Sequence, residues 1–138
     1  MKLFLDTSAF AKRYVEEAGS TKLEALCQQA DALAVSVICL PELISTLSRL
    51  VRETKLTKAQ YRKLKNLVIA DLADVEVCQF DADVLATTIT LLESHSLRAM
   101  DALHIACALA SVPDKFISAD QRQLAAARKA GLTVVDVS

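Results

Sequence analysis

Five short apolar runs, separated by longer stretches of helical spacing, constrain this chain more than any other feature. The runs are Leu3-Phe4-Leu5, Val35-Ser36-Val37-Ile38, Val75-Glu76-Val77, Phe116-Ile117 and Val134-Val135. Each reads as a strand, and the intervening segments read as helices. Strands that alternate with helices imply right-handed crossovers and a mainly parallel sheet covered on both faces. No linker, repeat or low-complexity stretch interrupts the pattern. Residues 1–138 are therefore expected to form a single domain with a real core.

The helix after Pro41 is the clearest. Leu40, Leu43, Ile44, Leu47, Leu50 and Val51 fall on one stripe. Pro41 suits the first helical position, where its missing N–H costs nothing. Thr57-Lys58-Ala59-Gln60 and Thr21-Lys22-Leu23-Glu24 both match a capping box. Asp81 suits the cap of a helix running to about Glu93. Ala99 to Ala110 is apolar almost all round, apart from Asp101 and His104, and predicts a helix buried on the sheet. Asp120 opens a last helix that Gly131 ends.

This element order has a consequence for four acids. In open parallel sheets ligands bind beyond the carboxyl ends of the strands. Asp6 directly follows the first strand, and Asp120 lies just past Phe116-Ile117-Ser118. Glu42 and Asp101 sit in the first turns of crossover helices, whose N-termini lie at that same edge. Each acid also has an ordinary role. Asp6 and Asp120 are suitable N-caps, with Gln123 as partner for Asp120, and Glu42 and Asp101 complement a helix dipole. Asp101 is the most telling, because an ionised carboxylate in an otherwise apolar helix needs a partner.

Clustered carboxylates repel one another and call for a cation between them. Hard oxygen ligands suit Mg²⁺ or Mn²⁺. Such an ion activates water and neutralises a phosphodiester, so hydrolysis of a nucleic-acid backbone is the leading reaction class. Ser8 and Ser118 lie two residues from Asp6 and Asp120 and are candidate substrate contacts. Local bonds to backbone are the competing reading. His104, one turn after Asp101, reads as a packed helix histidine with a base role as the alternative.

Composition removes other classes. A formal net charge of -1 excludes an overtly basic nucleic-acid binder but leaves room for a local patch. Such a patch is available: Arg49, Arg52, Lys55, Lys58, Arg62, Lys63 and Lys65 share a stretch whose only acid is Glu53. It reads as a solvated helix face or as a track for an RNA backbone. With 4% aromatics and no Trp, a base-stacking platform is not expected. Cys27, Cys39, Cys78 and Cys107 form no CxxC pair and read as small buried hydrophobes in a reducing compartment. No signal peptide, membrane-length segment, Gly-rich phosphate loop or GxSxG motif is visible, so a cytoplasmic protein is expected.

The ordered motifs resemble those of a PIN-domain ribonuclease, specifically a VapC-type toxin. They are Leu5-Asp6-Thr7-Ser8-Ala9, then Ser36-Val37-Ile38 through Glu42-Leu43 with Arg49, then Leu97-Arg98-Ala99-Met100-Asp101-Ala102 with Ala106 and Ala108. Phe116-Ile117-Ser118-Ala119-Asp120 and Ala130-Gly131-Leu132 complete the set. Any one is weak; the set spans essentially the whole chain. The resemblance implies a five-stranded parallel sheet in the order 3-2-1-4-5. It implies Mg²⁺- or Mn²⁺-dependent endoribonuclease activity on tRNA, rRNA or mRNA. Asp6 and Asp101 would be the main metal ligands, with Glu42 and Asp120 completing a catalytic acidic pocket. A homodimer and a VapB-type antitoxin partner are implied as well. The rivals are a housekeeping PIN nuclease, a non-catalytic PIN-like module, and a phosphotransferase with Asp6 as nucleophile. For the last, position 8 is Ser where a second Asp is the usual pattern.

Overall fold

The computed structural model describes residues 1–138. Strand β1 (Lys2–Leu5) leads into a short helix α1 (Thr7–Phe10) and a 3₁₀ turn (Ala11–Arg13). There follow α2 (Ser20–Gln29), β2 (Ala32–Ser36), α3 (Cys39–Arg52), α4 (Lys58–Leu72) and β3 (Glu76–Cys78). The chain closes with α5 (Ala82–Ser94), α6 (Ala99–Ser111), β4 (Lys115–Ser118), α7 (Gln121–Lys129) and β5 (Val134–Asp136). The five strands form one sheet in the order β3-β2-β1-β4-β5, and all neighbours are parallel.

Alternation along β1 builds two cores, because successive side chains leave opposite faces of a strand. Leu3 and Leu5 join Val35 and Ile117 against Phe10, Leu23, Leu43, Leu47 and Val68. Phe4 joins Ala34 and Phe116 against Val84, Leu91, Ala102, Ile105 and Ala127. Helices α1 to α4 thus cover one face and α5 to α7 the other. Phe4 and Phe116 are paired in register on adjacent strands, and their rings stack at 5.9 Å. The small residues Ala102, Ala106 and Ala108, with Cys107, let α6 lie close to the sheet. That closeness carries its N-terminal turn, with Asp101, to the carboxyl edge.

Local signals hold in some places and fail in others. Thr57 and Gln60 form the reciprocal capping box. Asp81 caps α5 through the Val84 N–H. Gly131, at φ 101°, ends α7 with the paired bonds of a Schellman motif, Leu132 N–H to Ala127 O and Gly131 N–H to Arg128 O. Three expectations are corrected. Helix α3 begins at Cys39, not Pro41, which is tolerated because the first four N–H groups of a helix need no internal acceptor. Strand β2 ends at Ser36 rather than Ile38, which already has helical φ and ψ. Thr21 forms no capping box. The chain enters α2 at Ser20 through Gly19 at φ 87°, and the Ser20 hydroxyl accepts from the Glu17 N–H instead. A Cβ at Gly19 would lie 1.8 Å from the carbonyl oxygen of Val137, so only glycine permits this approach.

Candidate active site

Asp6 leaves the end of the central strand and is only 4% exposed. Its Oδ1 accepts from the Ser8 hydroxyl at 2.7 Å and the Ala9 N–H at 3.0 Å. Its Oδ2 accepts from the Ser118 hydroxyl at 2.5 Å. Burial pushes its pKa up, and the bonds from Ser118 and Ser8, with the nearby His104 ring, offset this only in part. The carboxylate is held rigidly but in a dry place, where negative charge is costly.

Glu42, in the first turn of α3, is reached from two directions. Thr7 Oγ1 donates to Glu42 Oε1 at 2.6 Å, and His104 Nε2 lies 2.5 Å from the same oxygen. Thr7 Oγ1 is also 3.3 Å from His104 Nε2. Burial raises the Glu42 pKa, but the bonds from His104 and Thr7 outweigh it and hold the carboxyl below its ordinary value. His104 is thus not merely packed. It is buried among apolar residues of α6, yet its Nε2 faces Glu42, and its Nδ1 is buried without a partner.

Asp101 lies one helical turn before His104, is 22% exposed, and pairs loosely with Arg98 at 3.5 Å. It shares a small cavity of about 260 Å³ with Glu42, Arg98 and Met100. Asp120 caps α7, accepting from the Gln123 N–H at 3.0 Å. The reciprocal side-chain bond expected of Gln123 is not made. The Asp120 N–H goes to Ser118 Oγ at 3.0 Å, and the Gln123 amide is buried with neither atom paired. A second and larger cleft, of about 630 Å³, also takes in Glu42 and is lined by Thr7, Ser8, Lys12, Ser45 and Thr46.

The fold therefore brings all four acids to the carboxyl edge, but not into a closed cage. Ser118 links Asp6 to the Asp120 backbone, and α6 links Asp101 to Glu42 through His104. As the side chains stand, no three His, Cys, Asp or Glu residues form a set that could hold a metal ion. The donor chemistry nonetheless fits a hard divalent cation, being carboxylate and hydroxyl oxygen throughout. The desolvated Asp6 carboxylate is the group that gains most from one. Ser118 is fully buried with its hydroxyl on Asp6, so it acts on that carboxylate. Ser8 also donates to Asp6, while lining the larger cleft and accepting from the Ala119 N–H at 3.0 Å.

Two site residues escaped the sequence reading. Thr7 stands between the two motif residues Asp6 and Ser8, which was the available signal. Lys12 sits within Phe10-Ala11-Lys12-Arg13-Tyr14-Val15, an apolar stretch that marks it as more than a surface lysine. The basic run is divided. Arg49 and Lys55 lie beside Glu53, whereas Arg52, Lys58 and Arg62 line a cavity of about 410 Å³ with Tyr61, between α3 and α4.

A parallel 3-2-1-4-5 sheet with acids gathered at its carboxyl edge defines the class, and comparison with known proteins agrees. The PIN domain family model matches residues 3–130, and the chain belongs to the PIN domain family. Among curated proteins it is 31% identical over 108 residues to ribonuclease VapC45 of Mycobacterium tuberculosis (strain CDC 1551 / Oshkosh), covering 78% of this chain and 75% of that protein. The figures for ribonuclease VapC49 of M. tuberculosis (strain ATCC 25618 / H37Rv) are the same. Among solved structures, a toxin–antitoxin complex from Klebsiella pneumoniae superposes with TM-score 0.72 at 15% identity, covering 99% of this chain and 98% of that one. M. tuberculosis VapC20, a sarcin–ricin loop cleaving toxin, gives TM-score 0.70 at 19% identity, covering 97% and 98%. At these identities the solved structures speak to the fold. No helix is long and apolar enough to cross a membrane.

Proposed function

We propose that this chain is a divalent-metal-dependent endoribonuclease of the VapC type, the toxin of a toxin–antitoxin pair. The observation that carries the reading is Asp6: a buried carboxylate at the end of the central strand, with Glu42, Asp101 and Asp120 gathered to the same edge. The kinship to two ribonucleases supports RNA as the substrate. Asp6, Glu42, Asp101 and Asp120 would hold Mg²⁺ or Mn²⁺. When bound, the ion lowers the pKa of a coordinated water and neutralises charge on the phosphodiester. Ser8, Ser118 and the Ala9 N–H fix the Asp6 carboxylate, and Thr7 and His104 fix Glu42. A VapB-type antitoxin and a homodimer are the partners this reading carries with it, and the cytoplasm is its compartment.

A second reading, a non-catalytic PIN-like module, has one observation in its favour: the acids form no ligand cage as the side chains stand. Manganese titration by calorimetry separates the two. The nuclease reading expects one saturable site that is lost in Asp101→Asn, with RNA cleavage abolished by chelator and restored by Mn²⁺. A protein that binds no manganese and leaves RNA intact is a module.

A further inference from the structure

We infer that Lys12 is a phosphate contact for the RNA strand, seated in the larger cleft beside Glu42. This rests on the ribonuclease reading above and deepens it. Lys12 follows α1, on the 3₁₀ turn that packs against the core, and its side chain is only 7% exposed. Few lysines are withdrawn so far from water, because an ammonium is strongly hydrated. Its Nζ donates to Ala18 O at 2.6 Å and to Glu17 Oε1 at 3.2 Å. An ammonium has three donors, so one remains after these two bonds. Lys12 lines the 630 Å³ cleft together with Ser8, Glu42, Ser45 and Thr46.

Three features make this a phosphate site rather than a loop anchor alone. The cleft lies against the candidate active site, since Glu42 and Ser8 belong to both. Its polar lining is made of hydroxyls and one ammonium, apart from the carboxylates of Glu42 and Glu17. Glu17 is about half exposed and holds Lys12 at 3.2 Å, a longer and weaker pairing than a buried cation ordinarily finds. A strand whose scissile linkage lies at the acids places a neighbouring phosphate in this cleft. There the low surrounding dielectric strengthens attraction to the ammonium. The acidic edge would otherwise repel the polyanion on that side, so a cation within it supplies the register that the overall charge of -1 does not.

The test is binding of a non-cleavable 2′-O-methyl oligoribonucleotide, followed by fluorescence anisotropy across a salt series, alongside cleavage kinetics on unmodified RNA. Lys12→Gln is expected to weaken binding and raise KM about tenfold, with kcat less affected. It should also flatten the slope of log affinity against log salt by about 0.7, the value for one phosphate contact on a single strand. Lys12→Arg should retain most of the affinity. Glu17→Gln removes the competing carboxylate and should tighten RNA binding about two- to threefold; an anchor role predicts no gain. Unchanged slope in Lys12→Gln, or unchanged or weaker binding in Glu17→Gln, overturns the inference. The Glu17 variant decides the matter even if Lys12→Gln fails to fold. Wild-type protein that cleaves RNA while these variants fail the test refutes the Lys12 role alone; wild-type protein that neither binds nor cleaves RNA refutes both.

Discussion

At the amino end of the sheet, acids meet cations. Lys2 Nζ lies 2.6 Å from Glu76 Oε2 and donates to Ser111 O at 2.8 Å. Asp114 accepts from the Lys2 N–H at 2.6 Å, and the N-terminal ammonium pairs with Asp31. At the carboxyl end, Asp6 meets only hydroxyls and a backbone N–H. Glu42 meets a threonine and a histidine, and Asp101 rests loosely on an exposed arginine. Both ends gather carboxylates, but only one leaves their charge without a tight permanent cation. The amino end is already neutralised; the carboxyl end is where the proposed cation would act.

Breaking the contrast at the carboxyl end should have the largest effect. Asp6→Asn and Asp101→Asn are each expected to lower RNA cleavage by at least about a hundredfold, with circular dichroism unchanged, because each removes a proposed cation ligand. An Asn variant shown to have lost metal yet cutting at the parental rate would break the comparison.

His104→Leu should lower kcat about tenfold by freeing Glu42, and His104→Gln should recover part of that by restoring a donor. Equal losses in both variants would mean that the ring only fills space.

The third expectation runs opposite to the first. In metal-free protein, Asp6→Asn should raise stability at neutral pH by about 1 kcal/mol, or roughly 3–6 °C in Tm. Burial raises the folded-state pKa of Asp6, so its favourable contribution is full below the ordinary Asp value and is lost as pH rises through the raised one. The gain on substitution should therefore shrink as pH falls, which thermal melts at neutral and at acid pH would reveal.

The smallest effect belongs to the neutralised end. Lys2→Met should cost about 0.5–1 kcal/mol and leave cleavage untouched, because its partners are half exposed. Any loss of activity there would blur the distinction between the two ends.

Much of this arrangement was legible in the sequence. The five strands and their alternation with helices follow from the apolar runs, whereas the strand order came from the family resemblance. The edge that collects Asp6, Glu42, Asp101 and Asp120 follows from their places at strand ends and helix starts. What stayed hidden depends on tertiary distance. The His104–Glu42 contact joins residues 62 apart, and helical periodicity around His104 reports only that it faces inward. Gln123 looked like half of a capping box, but Ser118 Oγ, which also serves Asp6, takes the Asp120 N–H first. Thr21 matched a local pattern and lost to the backbone demand at Gly19, which is set by Val137 at the far end of the chain. Lys12 drew no reading from the sequence, because Arg13 beside it has the same apolar flanks and only tertiary packing buries the one and not the other.

The position of β1 has one more consequence. It lies between β2, its near neighbour in the chain, and β4, more than a hundred residues away. Ser118, which grips Asp6, and Asp120 are therefore among the last parts of the edge to leave the ribosome during synthesis. A nascent chain carries Asp6, Glu42 and Asp101 before Ser118 and Asp120 are made, so this edge stays incomplete until β4 has been added and has paired beside β1.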